Sequence, residues 1–139
     1  MKLAAILIVQ DDFLAGERLR LLLVQAGYDV VGVAGRTSGA VDLAGQHRPD
    51  LAIVDMMLEL DVDGIRTATE LERRFNMRIL ITTGFPDSVI QAEGVPALAC
   101  AIVKKPYTDG EILAAVARCL ARPSETPPLG PPPDRNPLR

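Results

Sequence analysis

The sequence predicts an α/β fold: a doubly wound, five-stranded parallel sheet in a (βα)5 arrangement. Three observations point there. Short runs that are apolar throughout, such as ILIV at 6–9 and LAIV at 51–54, have the length of strands buried on both faces. Segments with helical spacing alternate with them, which requires right-handed crossovers and parallel strands. Each apolar run ends in polar residues, and in such sheets ligands sit beyond the carboxyl ends of the strands.

The elements follow in order. Ala4–Val9 is the first strand. Phe13–Ala26 places Leu14, Leu19, Leu22 and Leu23 at helical spacing, and Gly27 stands where a helix C-terminal glycine belongs. Tyr28–Val33 is rich in β-branched residues and predicts the second strand. Thr37–Gln46 predicts a short helix with Thr37 or Ser38 as its N-cap. After Pro49, Leu51–Val54 is the third strand and ends at Asp55. Gly64–Phe75 is helical. Arg78–Thr82 is the fourth strand and ends at Thr83-Gly84; Asp87–Glu93 is a short helix. Leu98–Val103 is the fifth strand, followed by Lys104-Lys105-Pro106. Thr108–Leu120 is the last helix, with Thr108 and Glu111 forming a capping box. Residues 1–122 thus form one domain. Residues 123–139 hold seven prolines in 17 positions and predict a disordered or polyproline-like tail.

Composition narrows the function. The 139 residues suffice for one core, and a net charge of −3 argues against nucleic-acid or anionic-membrane partners. There is no Trp and aromatics make up 4%, which disfavours a base-stacking platform. No apolar run is long enough to cross a bilayer, and MKLAAILIV reads as a first strand rather than a signal peptide. Cys100 and Cys119 lie in apolar stretches without metal-ligand spacing, so they are expected as buried, reduced thiols of a cytoplasmic protein. His47, the single histidine, ends a helix on its polar side and is expected to be structural.

The strand ends carry the chemistry. The first gives Gln10, Asp11 and Asp12, the third Asp55, the fourth Thr83 and the fifth Lys105. Carboxylates suit Mg2+, while an ammonium and a hydroxyl suit a phosphoryl group. An ionised carboxylate is itself a nucleophile that can form an acyl phosphate, with transfer depending on positioning and charge neutralisation.

The stretches ILIVQDD, LAIVDMML, ILITTG and IVKKPYT, over residues 3–121, resemble the receiver domain of two-component response regulators. The separations Asp11 to Asp55, 44 residues, and Thr83 to Lys105, 22 residues, match that family's offsets. The resemblance implies a flavodoxin-like fold and assigns roles. Asp55 matches the phosphoacceptor. Asp11, Asp55 and the backbone carbonyl of Met57 match the Mg2+ ligands, with Asp12 or Gln10 contributing through water. Thr83 and Lys105 match the phosphoryl-binding pair, and Pro106 follows a cis peptide bond in most relatives.

Departures from the family pattern are informative. The acid pair after the last apolar residue, Val9, falls on Gln10 and Asp11, so one acid is a neutral amide and weaker Mg2+ binding is expected. Ile102 stands at the switch position, where relatives carry an aromatic ring. Met57 and Phe85 occupy the two positions that tune loss of the phosphoryl group. Both are apolar and unable to orient a water, so slow self-dephosphorylation is expected, over many minutes or longer. ITTGFP and the non-aromatic switch position are similar to the single-domain receivers called the FAT GUY group.

The expected function is a stand-alone receiver that accepts a phosphoryl group on Asp55 from the phosphohistidine of a histidine kinase or histidine phosphotransfer protein. It would signal through altered protein–protein interaction. It would be no enzyme beyond catalysing its own phosphorylation and dephosphorylation. The fifth strand and the last two helices are the family's usual homodimer face. The alternative is a pseudo-receiver that binds partners without phosphoryl chemistry, motivated by Gln10 and Ile102.

Overall fold

The computed structural model describes residues 3–58 and 63–121. Its elements are β1 (Ala5–Val9), α1 (Phe13–Gln25), β2 (Asp29–Ala34), α2 (Thr37–His47), β3 (Leu51–Asp55), α3 (Asp63–Phe75), β4 (Arg78–Thr83), α4 (Asp87–Ala92), α5 (Val95–Leu98), β5 (Ala101–Lys104) and α6 (Asp109–Ala121). The five strands form one parallel sheet in the order β2-β1-β3-β4-β5. The chain runs outward from β1 to β2, then starts again on the other side with β3. That reversal opens a crevice between the carboxyl ends of β1 and β3.

Strand alternation divides the core into two layers. Leu7, Val9, Ala52, Val54, Ile79 and Ile81 pack on one face with Ala40 and Ala44 of α2 and Ala68 and Leu71 of α3. Ile6, Ile8, Leu51, Ile53, Leu80 and Val103 pack on the other with Leu19 and Leu23 of α1 and Ile112, Ala115 and Val116 of α6. All five residues of β1 and of β3 are buried, as two-sided coverage requires.

The helix ends follow local chemistry. Asp12 is the N-cap of α1, its Oδ1 accepting from the amides of Leu14 (3.0 Å) and Ala15 (3.2 Å). Gly27, at φ 98°, lets the chain leave α1 in the left-handed region. The capping box of α6 is present: Glu111 N–H donates to Thr108 Oγ1 at 3.1 Å and Thr108 N–H to Glu111 Oε1 at 2.8 Å.

Three expectations are corrected. The last strand begins at Ala101 rather than Leu98, because Val95–Leu98 winds into an extra helical turn. Pro96 suits a first helical turn, and Gly94 turns the chain into it at φ 75°. Thr37 and Ser38 do not cap α2; Arg36 takes that position, and the Thr37 hydroxyl bonds that of Thr67, joining α2 to α3. Cys100 and Cys119 are not reduced thiols but a disulfide, with Cα atoms 5.7 Å apart. They lie 19 positions apart in the sequence, and only the packing of α6 against β5 brings them together. The proline-rich stretch 123–139 lies outside the described residues.

Candidate functional site

Asp55 is the last residue of β3 and is 7% exposed. A carboxylate so placed needs partners. Lys105 Nζ donates to Oδ2 at 2.8 Å and Gln10 Nε2 to the same oxygen at 2.9 Å. The Met57 amide donates to Oδ1 at 3.3 Å. Lys105 reaches the site because β5 ends beside β4: its N–H donates to Thr83 O at 2.8 Å, and a cis Lys105–Pro106 peptide follows.

Gln10 is held at both ends. Its backbone N–H donates to Ala34 O at 2.8 Å, and its Oε1 accepts from the Asp12 amide at 2.9 Å. The amide orientation is dictated by these neighbours, since Asp12 N–H can only donate and an ionised Asp55 can only accept.

A cleft of about 480 Å³ opens over these groups, lined by Asp11, Asp12, Asp55, Thr83 and Lys105 among others. Thr83 is buried, and its Oγ1 accepts from the Phe85 amide at 3.0 Å. Phe85 is half-buried against the α3-side core, whereas Met57 is 42% exposed. Ile102 is half-buried against the same core layer as Ile81, on the side of the sheet toward which Thr83 alternates. Lys104 turns outward and pairs with Asp87 at 2.9 Å. Burial pushes the Tyr107 phenol above its ordinary range, and the negative charge of Asp55 adds to the effect.

The structure therefore gathers Gln10, Asp11, Asp12, Asp55, Met57, Thr83, Phe85 and Lys105 at one cleft. Among the described residues no three His, Cys, Asp or Glu side chains make a ready metal cage. Mg2+ does not need one: it binds through one or two carboxylates and keeps several waters. Asp11, Asp55 and the Met57 carbonyl are hard oxygen donors of that kind, so the residues fit the ion.

One residue of the site escaped the sequence reading. A Cβ on Gly64, in the first turn of α3, would lie 1.9 Å from the Asp55 carbonyl oxygen and 2.7 Å from that of Met56. Only glycine lets α3 approach the end of β3 so closely. The signal was a glycine inside a helix start, where it otherwise costs stability.

Comparison with known proteins decides the family. Residues 6–117 match the family described as the response regulator receiver domain. The chain belongs to that family. It is 32% identical over 117 residues to the transcriptional regulatory protein PdtaR of Mycobacterium tuberculosis, covering 84% of this chain and 57% of that protein. It is 27% identical over 117 residues to the phyllosphere-induced regulator PhyR of Methylorubrum extorquens, covering 83% and 43%. The chain thus spans about half the length of these relatives. Among solved structures, the signal receiver domain of a modulated diguanylate cyclase from Desulfovibrio desulfuricans G20 superposes with a TM-score of 0.76 at 32% identity, covering 86% of this chain and 94% of that one. The receiver domain of PhyR from Erythrobacter litoralis gives 0.77 at 21% identity, covering 91% and 98%. Receiver domains are signalling modules, and no described helix here is long and apolar enough to cross a membrane.

Proposed function

We propose that this receiver accepts a phosphoryl group on Asp55 from a phosphohistidine of a histidine kinase or histidine phosphotransfer protein, in a Mg2+-dependent reaction. The observation that carries the reading is the Lys105–Asp55 contact, 2.8 Å, at the base of the cleft that Asp11 and Thr83 share. An Asp55 oxygen attacks phosphorus, the P–N bond breaks, and its electron pair stays on the imidazole, which takes up a proton. Lys105 neutralises charge that gathers on the phosphoryl oxygens, and the Thr83 hydroxyl, whose oxygen accepts from the Phe85 amide, offers its O–H as a donor. Mg2+, held by Asp11, Asp55 and the Met57 carbonyl, would supply further charge neutralisation. Phe13 and Leu14 stand about three-quarters exposed next to Asp12 and give a donor protein an apolar surface beside the acidic cleft.

The output is altered affinity for a protein partner. PhyR of Bartonella quintana is described as an anti-anti-sigma factor, and this chain is 22% identical to it over 86% of its own length. That likeness supports a protein partner without naming one. The test uses phosphoramidate, whose P–N bond mimics phosphohistidine. With Mg2+ the wild-type chain should gain one phosphoryl group by intact mass, and Asp55→Asn should gain none.

The second reading, a pseudo-receiver, draws on the Gln10–Asp55 bond, which satisfies the acceptor without any ion. A partner bound equally well by wild type and Asp55→Asn, with no phosphoryl uptake, would favour it.

A further inference from the structure

Gln10 does something that an acid in its place could not. Its Nε2 donates to Asp55 Oδ2, the oxygen that Lys105 also holds, so two donors fill that atom's lone-pair positions. A Glu or Asp at position 10 would offer only acceptors and repel Asp55. The other end of the amide is engaged too, because Oε1 takes the Asp12 N–H. The side chain is therefore a bridge between the acceptor and the N-cap of α1.

We propose that Gln10 is a positioning residue that holds Asp55 in the metal-free protein and is energetically coupled, with negative sign, to divalent-cation binding. The inference rests on Asp55 being the acceptor and a cation ligand. Whichever carboxylate oxygen a cation takes, it draws on the same negative charge that strengthens the Gln10 bond. Cation binding thus weakens that bond, and by reciprocity removing the amide strengthens cation binding. A helper role would have Gln10 accept from a metal-bound water on the second lone pair of the Oε1 that takes the Asp12 amide. It predicts the opposite sign.

The experiment titrates MgCl2 into the full chain and follows amide shifts by 15N NMR, for wild type, Gln10→Ala and Asp55→Asn. Net loss of one hydrogen bond predicts that Gln10→Ala binds Mg2+ about threefold to tenfold more tightly. In wild type the Gln10 side-chain amide and the Asp12 backbone amide should shift together on Mg2+ addition, and in Gln10→Ala the Asp12 response should shrink. Gln10→Met, which keeps the length and removes both polar ends, serves if the alanine variant does not fold. Weaker or unchanged binding in these variants, with Asp55→Asn impaired, overturns the coupling and leaves Asp55 in its role. Undiminished binding in Asp55→Asn overturns the Asp55 assignment itself, and the coupling with it. No response in wild type or in either Gln10 variant also overturns it.

Discussion

Gly64→Ala should disable the site from a position that touches no ligand. The added Cβ would lie 1.9 Å from the Asp55 carbonyl oxygen and 2.8 Å from its carbonyl carbon. Contacts of this kind settle at 3 Å or more, so the start of α3 and the end of β3 must part by about 1 Å. The obstructing atoms are backbone, so no rotamer change relieves the clash, and overpacking of this sort costs about 1–3 kcal/mol or more. The larger effect is on chemistry. The same backbone carries the Asp55 carboxylate and the Met57 amide that contacts it. A misplacement of about 1 Å at a reacting group costs on the order of 100-fold in rate. Phosphoryl uptake from acetyl phosphate, followed by intact mass, should fall by about that factor, and the melting temperature should drop by about 5 °C or more. A Gly64→Ala protein that melts like wild type and takes up phosphate at its rate would refute the reasoning.

Four other outcomes are expected. Lys105→Ala removes the one cation contacting Asp55 among the described residues, and uptake should fall by about 100- to 1,000-fold while Gln10 keeps the carboxylate satisfied and the protein folded; an uptake rate within threefold of wild type would contradict that role for Lys105. Reduction of Cys100–Cys119, or its replacement by serines, should lower stability by about 3 kcal/mol, the loop-closure value for a 19-residue separation; denaturant melts with and without reductant check this. Tyr107 should ionise above the ordinary tyrosine value of about 10. Because its folded value is raised, its contribution to stability is present below that ordinary value and is lost as pH rises through the folded one. In a Tyr28→Phe background, Asp55→Asn should move the phenolate absorbance titration back part of the way, since burial, the larger cause, remains. Phosphorylated protein should decay over many minutes or longer, and Met57→Asn, which can orient a water, should speed decay on the order of tenfold; loss within seconds in wild type would sink the idea.

Much of this molecule was legible because buried parallel strands announce themselves. Wholly apolar runs ending in Asp55, Thr83 and Lys105 give both the sheet and the rim on which the cleft lies. The end of β1 at Val9 was also readable. Placing Gln10 and Asp11, rather than Asp11 and Asp12, after Val9 leaves Asp12 for another task, and the structure gives it the cap of α1. What stayed hidden depends on tertiary contact. Nothing local relates Cys100 to Cys119 until α6 lies on β5. Thr37 looks like a cap until α3 supplies Thr67 as a partner. The turn at Val95–Leu98 is too short for periodicity to reveal, and LAC before Ala101 looks like strand. Gly64 gains its meaning only from a backbone nine residues earlier in the chain. The Gln10–Asp55 bond spans 45 residues, so the sequence could place the amide at the rim but not aim it at the carboxylate.

The central claim is that Asp55 is the residue modified. The most direct measurement treats the full chain with acetyl phosphate and Mg2+, traps the acyl phosphate by borohydride reduction, and locates the reduced residue by tandem mass spectrometry. A single homoserine at position 55 is expected, absent without Mg2+ and absent in Asp55→Ala. Reduction at Asp11 or Asp12, or a phosphoryl group that persists in Asp55→Ala, would contradict it.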